Sequence, residues 1–268
     1  MPPVVLTIAG SDSSAGAGVQ ADLKTFAAHG VHGVCALTAI VAEAPGAVAG
    51  FHATDPTLLH AQLKRVAGSF PLAAAKTGML ATAELVAEVA AFLKDRPDLP
   101  LVVDPVIRAG AGAALLDEAG VELLKHEILP LARLVTPNLP EAEHLLGEPI
   151  RELSAFSTAP RRLAERFGCD VLLKGGHFAD GGDTVSDHAW IDGRALVFSR
   201  PRLAVPDVHG TGCTLSAAIA AHLARGEDLP AAIDGACRYL AACLAQHHHW
   251  NGPGGRIEAL NHFPDGLK

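Results

Sequence analysis

Apolar and polar positions alternate between two periods along the chain. Short apolar runs rich in β-formers at 4–9, 34–41, 72–77, 101–104, 132–136 and 171–174 predict strands. Between them, patterns of helical period lie near 17–29, 56–68, 82–95, 117–127, 139–146 and 158–168. This alternation predicts an α/β fold, a mostly parallel sheet with helices on both faces. The segment "HAWIDGRALVF" (188–198) reads instead as two short strands around Asp192-Gly193, the signature of a type I′ hairpin. Two helices, about 211–225 and 230–248, close the chain. No repeat, linker or low-complexity tract interrupts it, so residues 1–268 are expected to form one domain.

Composition narrows the picture. With 268 residues and 49% hydrophobic content, the chain can bury a substantial core. A net charge of −8, 4% aromatics and no Lys/Arg cluster longer than a pair argue against nucleic acid or an anionic membrane as partner. The start, "MPPVVLTIA", lacks a basic n-region, and no run approaches the ~20 apolar residues of a membrane span. A cytoplasmic protein is the expectation. The five cysteines form no C-x-x-C pair, so neither a disulfide framework nor a zinc site is suggested. The run His247, His248, His249 is read as a helix end, since consecutive helical side chains point in different directions.

Ligands of open parallel sheets gather at the carboxyl ends of the strands. Here those positions are Gly10-Ser11-Asp12, Glu43, Thr77-Gly78-Met79, Asp104-Pro105-Val106, Asn138 to Glu141, and Lys174-Gly175-Gly176. Carboxylates, an amide, a lysine and glycine turns share one rim.

The stretch "DVHGTGCTLSAAIAAHL" (207–223) is a two-glycine turn entering an apolar helix. A helix start leaves backbone N–H groups unpaired and carries partial positive charge, and glycines let a ligand approach that backbone. Gly210, Thr211, Gly212 and Cys213 therefore read as an anion cradle. "GSDSSAGAGVQADL" (10–23) matches the dinucleotide fingerprint only loosely, because its glycines start too late and no acidic residue follows at the required offset. A glycine-lined pocket for a small substrate fits better, with Asp22 turned inward or, alternatively, exposed on its helix. In "TPNLPEAEHLL" (136–146), Asn138 and Glu141 make a capping box, and could also hold water around a Mg²⁺ on nucleotide phosphates. Lys174 is either a phosphate-binding charge or a solvated strand-end lysine. No P-loop and no H-R-D or D-F-G set occurs.

Six motifs occur in order: "TIAGSDSSAGAGVQADLKT" at 7–25, "GML" at 78–80, "DPV" at 104–106, "TPNLPEAE" at 136–143, "KGGH" at 174–177 and "HGTGCTLSAAIA" at 209–220. Together they resemble the hydroxymethylpyrimidine and phosphomethylpyrimidine kinases of thiamine synthesis, within the ribokinase superfamily. The resemblance implies a three-layer α/β/α ribokinase-like fold, with ATP-Mg²⁺ over the Gly-Thr-Gly turn. It implies phosphorylation of 4-amino-5-hydroxymethyl-2-methylpyrimidine, and then of its monophosphate. Glu43 and Met79 would contact the aminopyrimidine, with Asp22 and Gly10 lining that pocket. Asn138 and Glu141, with Asp104, would organise Mg²⁺ through water, and Lys174 would sit near the nucleotide phosphates. A homodimer is implied as well, the 188–198 hairpin offering an edge for pairing. Cys213 would stand where many relatives carry an aspartate base. Its thiol is expected to be acidified by the helix N-terminus and to tune the hydroxyl while the amides carry most of the catalysis; a thiol chosen only for size is the alternative.

This chain departs from the pattern at Glu43-Ala44-Pro45, which lacks an asparagine, and at "IRAGAGAALL" (107–116), which lacks a lysine and offers only Arg108. The reaction class is kept, the departures bearing on the edge of the substrate pocket and on the already phosphorylated substrate, and 107–115 is the natural lid. A pyridoxal kinase is the nearest rival, because the Gly-Thr-Gly-Cys turn does not discriminate. Glu43 favours the pyrimidine, whose exocyclic amine it can accept from. A sugar kinase and a non-catalytic sensor of the same fold are the remaining alternatives.

Overall fold

The computed structural model describes residues 1–44, 46–108, 112–176, 182–206, 208–253 and 255–266. The predicted lid lies partly outside them, at 109–111. The first strand, β1 (Val4–Asp12), leads through α1 (Gly18–Ala28) to β2 (His32–Ala44), which pairs parallel to β1. A third strand, β3 (Ala47–Ala53), folds back antiparallel on β2. It has no counterpart in the periodicity, because "AVAGFHA" is largely exposed and buries no alternating face. Then follow α2 (Pro56–Ser69), β4 (Leu72–Thr77), α3 (Ala83–Lys94) and β5 (Leu101–Val103).

The helix predicted at 117–127 is α4 (Glu118–Leu123), continued by a π turn to Ile128 and a 3₁₀ turn at Leu129–Leu131. Next come β6 (Leu134–Val135), α5 (Leu139–Leu146), α6 (Leu153–Phe167) and β7 (Asp170–Leu173). Helix α6 starts five residues before the predicted 158 and carries Pro160 within it. The hairpin is longer than 188–198: β8 (Thr184–Ile191) and β9 (Arg194–Pro201). Its turn is type I′, with Asp192 and Gly193 both at positive φ, 48° and 76°.

Helices α7 (Thr211–Ala224) and α8 (Leu229–Ala245) follow, and α8 stops short of the histidine run. His248 and His249 lie instead in a second hairpin, β10 (His248–Gly252) with β11 (Gly255–Ala259). The polar sequence "HHWNGPGGRIEA" gives no period-2 apolar signal for it.

The main sheet has nine strands in the order β3-β2-β1-β4-β5-β6-β7-β8-β9, parallel from β2 through β7. Its central strands are apolar on both faces because both faces are covered. Leu6, Ile8, Leu101, Val103, Val171 and Leu173 pack with α2 to α6 on one side. The intervening Val5, Val102 and Leu172 pack with α1, α7 and α8 on the other. The result is three layers, α/β/α. Within the second layer α7 is apolar nearly all round, with Thr214 to Ala221 all buried; a helix of this kind sits inside a fold rather than on it. Its alanines let it lie close against β1, β4 and β5, which sets its N-terminus at the middle of the rim.

Candidate active site

The rim divides into two halves, joined by the first turn of α7. In the first half, the Asp12 carboxylate gathers the loop after β1. It accepts from the Ser14 N–H (2.7 Å), the Ser14 hydroxyl (2.9 Å), the Gly16 N–H (3.0 Å) and the Ala17 N–H (2.8 Å). Burial alone would raise its pKa, but these bonds and His209 outweigh it and hold the group at about 2. Ser13 ties this loop to the end of β2: its hydroxyl donates to the Glu43 carbonyl (2.7 Å) and accepts from the Glu43 N–H (2.9 Å). The Glu43 side chain lies 3.2 Å from His209 Nε2, which is itself 3.4 Å from Asp12. Burial and the nearby Asp12 push the Glu43 carboxyl up, against the pull of His209. Gly10, on β1, and Met79, just past β4, meet each other, the Met79 sulfur 3.2 Å from where a Cβ on Gly10 would stand.

The second half holds Asp104, Asn138, Glu141 and Lys174. Asn138 caps α5 in a full capping box: its side-chain oxygen accepts from the Glu141 N–H (2.9 Å), and Glu141 accepts from the Asn138 N–H (2.8 Å). The capping and rim readings of this pair coexist, because the same box turns Glu141 towards Lys174. The Lys174 ammonium donates to Asp104 at 3.0 Å and lies 3.9 Å from Glu141, so it is not a solvated strand-end lysine. Burial, with Asp104 adding to it, pushes Glu141 up to about 7 despite Lys174. All the anionic donors here are oxygen, and among the described residues Asp104 meets Lys174, and Glu141 meets Asn138 and Lys174, through one oxygen only, leaving each a second. That donor set suits Mg²⁺, which prefers oxygen and retains water.

Between the halves stands the turn. Gly210 has φ of +88°, and a Cβ on it would lie 1.8 Å from the Gly16 carbonyl oxygen, so only glycine fits. Helix α7 starts without a side-chain cap, leaving its first N–H groups to the rim. A Cβ on Gly212 would stand 3.2 Å from the Lys174 ammonium and 3.6 Å from Asp104. Thr211 is half-buried in the same turn.

Two expectations change here. Asp22 neither lines the rim nor faces solvent: it is fully buried, accepting from Lys76 at 2.9 Å and from the Thr7 hydroxyl at 2.6 Å. A fully buried carboxylate needs such partners. The Cys213 thiol is not acidified. Burial, with Asp104 and Asp22 adding to it, pushes it up to about 12, although Lys76 and a backbone N–H pull the other way.

The sequence reading gave no role to His209, Lys76 or Asp187. Lys76 carried a signal, a lysine inside the apolar strand "LAAAKT". Asp187 is fully buried on β8, where it accepts from the Gly175 N–H (2.7 Å) and from Arg200 (2.6 Å), fixing the backbone next to Lys174.

Known proteins match this arrangement. The family model described as phosphomethylpyrimidine kinase matches residues 12–256. The hydroxymethylpyrimidine/phosphomethylpyrimidine kinase of Haemophilus influenzae is 42% identical, with 90% of each chain covered. Among solved structures, an ADP complex of Bacillus subtilis pyridoxal kinase superimposes with a TM-score of 0.89 at 31% identity, covering 100% of both chains. The phosphomethylpyrimidine kinase of Clostridium difficile gives 0.78 at 35% identity, covering 89% of this chain and 98% of that one. With the family model spanning most of its length, from Asp12 at the end of β1 past the α7 turn, the chain belongs to the phosphomethylpyrimidine kinase family.

Proposed function

We propose that this chain transfers the γ-phosphoryl group of ATP to the hydroxymethyl oxygen of 4-amino-5-hydroxymethyl-2-methylpyrimidine. It then phosphorylates the monophosphate, giving the diphosphate used in thiamine synthesis. The observation that carries the substrate is Glu43, a carboxylate held at the rim 3.2 Å from His209 and a natural acceptor for the exocyclic amine. The uncapped N–H groups of the α7 turn receive the charge that spreads over the transferring phosphoryl oxygens. Lys174 supplies a fixed cation beside that turn. Asp104, Glu141 and, through its cap on Glu141, Asn138 would hold Mg²⁺ by way of water. Mg²⁺ supplies charge neutralisation on the nucleotide phosphates.

The protonated Cys213 thiol has no need to act as a base, since a loose phosphoryl transfer asks more of positioning than of proton abstraction. One kinase domain, a cytoplasmic location and a homodimer belong to the same reading, with β9, one of the two exposed edges of the sheet, open to pairing.

A pyridoxal kinase is the second reading, favoured by the TM-score of 0.89 to the Bacillus subtilis enzyme. A coupled ADP-release assay with ATP-Mg²⁺ separates them, using the hydroxymethylpyrimidine, its monophosphate and pyridoxal as acceptors. Turnover on both pyrimidines with little on pyridoxal supports the first reading. Pyridoxal as best acceptor supports the second, and no turnover on any returns the sensor.

A further inference from the structure

We propose that His209 is a positioning residue for acceptor recognition, locking the Glu43 carboxylate to the anion-binding turn through the triad Asp12–His209–Glu43. The inference rests on the reading of Glu43 as the acceptor contact. His209 Nε2 lies between two carboxylates, 3.4 Å from Asp12 Oδ2 and 3.2 Å from Glu43 Oε1. One nitrogen or oxygen from each of the three side chains falls within 4.8 Å of the others.

Each member of the triad is held from a different direction. Asp12 is fixed by four donors of its own loop, so it serves as an anchor rather than a mobile group. The backbone of Glu43 is pinned at both its N–H and its carbonyl by Ser13, which leaves only the side-chain torsions to be set. The His209 ring sits in a slot opened by Gly16, its Cδ2 3.1 Å from where a Cβ there would stand. The next residue, Gly210, rests its own backbone on the Gly16 carbonyl. A displacement of the α7 turn therefore moves the ring that holds Glu43.

The consequence is chemical. Contact with His209 at Oε1 leaves Glu43 Oε2 to accept from an acceptor's amine, in one orientation. A glutamate carries several rotamers, and immobilising one such side chain in advance is worth up to about tenfold in binding. His209 thus acts on acceptor affinity, while the uncapped amides act on the transfer step.

The test is a double-mutant cycle of H209N and E43Q, with KM and kcat measured for the hydroxymethylpyrimidine and for pyridoxal. It is joined to the ¹⁵N ring resonances of His209, assigned by their loss in H209N. The expected result is an acceptor KM raised about tenfold in H209N, with kcat within about threefold, and little further change when H209N is added to E43Q. The E43Q substitution should also shift the His209 ring resonances. Additive effects on KM, with ring resonances that ignore E43Q, overturn the inference. So does a loss confined to kcat, which would make His209 a support of the turn alone. An E43Q enzyme with unchanged KM for both acceptors but shifted His209 resonances sinks the acceptor role of Glu43 while the His209–Glu43 lock stands. H209Q carries the same cycle if H209N does not fold.

Discussion

Lys76 sets its ammonium 2.9 Å from each carboxylate oxygen of Asp22, with both side chains fully excluded from solvent. Burial alone would lower the lysine pKa, but Asp22, with Cys213 and Asp104 adding to it, outweighs burial, so the cation persists. A pair of this kind contributes little net stability, yet breaking it is costly. K76M, which strands Asp22, should lose about 3–5 kcal/mol in urea denaturation. The triple variant T7V/K76M/D22L, which removes the polar set together, should recover most of that loss. If K76M unfolds at the wild-type midpoint, the pair is not the constraint described.

The turn at Gly210 allows no side chain. G210A should push the turn off the Gly16 carbonyl and lower kcat about 10²–10³-fold, the range for losing a charge-stabilising donor. G212A should be far milder, because its new methyl would meet the Lys174 ammonium at 3.2 Å, which a shift of a few tenths of an ångström relieves with the cation still in place, whereas Gly210 faces backbone at 1.8 Å. Steady-state kinetics on the two variants gives the comparison, and equal losses would contradict it.

Glu141 makes stability depend on pH in a fixed direction. Its pKa is raised in the folded chain from 4.5 to about 7, so the native state holds the proton more tightly. That contribution is fully present below pH 4.5 and is lost as pH rises through about 7. Glutamine at this position keeps the capping box and never ionises. The urea midpoint of E141Q relative to wild type should therefore rise between pH 5 and pH 8. Its kinase activity should fall at both pH values, because a carboxylate of the Mg²⁺ set is gone. A flat difference between the two pH values would refute the assignment.

With its thiol held up to about 12, Cys213 stays protonated at neutral pH. C213A should keep kcat within about tenfold, or 1.4 kcal/mol. Iodoacetamide at pH 8 should label this cysteine more slowly than a free thiol of pKa about 8.5. Rapid labelling blocked by ATP, together with a larger kcat loss, would restore a thiolate.

The layers were legible because covered parallel strands read as short apolar runs between helical periods, and Asp192-Gly193 announced its own turn. What escaped had no local signal. Strand β3 and the β10–β11 hairpin are too exposed to show an apolar face. The partner of Asp22 lies 54 residues away in sequence, so a carboxylate that looked free at the start of α1 belongs to a buried pair. His209 stood inside a quoted motif, but its two carboxylates come from the ends of β1 and β2, and only the fold brings them to it. The helix N-terminus suggested an acidic thiol, whereas burial and two aspartates dominate at Cys213.

The central seat of α7 also bears on how the protein is made. At about 5–20 residues per second, a ribosome finishes β7 about 2–10 seconds before the helix that completes the rim. Until then the sheet face formed by Val5, Ala74 and Val102 has α1 but lacks the cover of α7 and α8. A chain cut before residue 210 is therefore expected to expose that apolar face and to lack the anion-binding turn, so the same helices that complete the core complete the site.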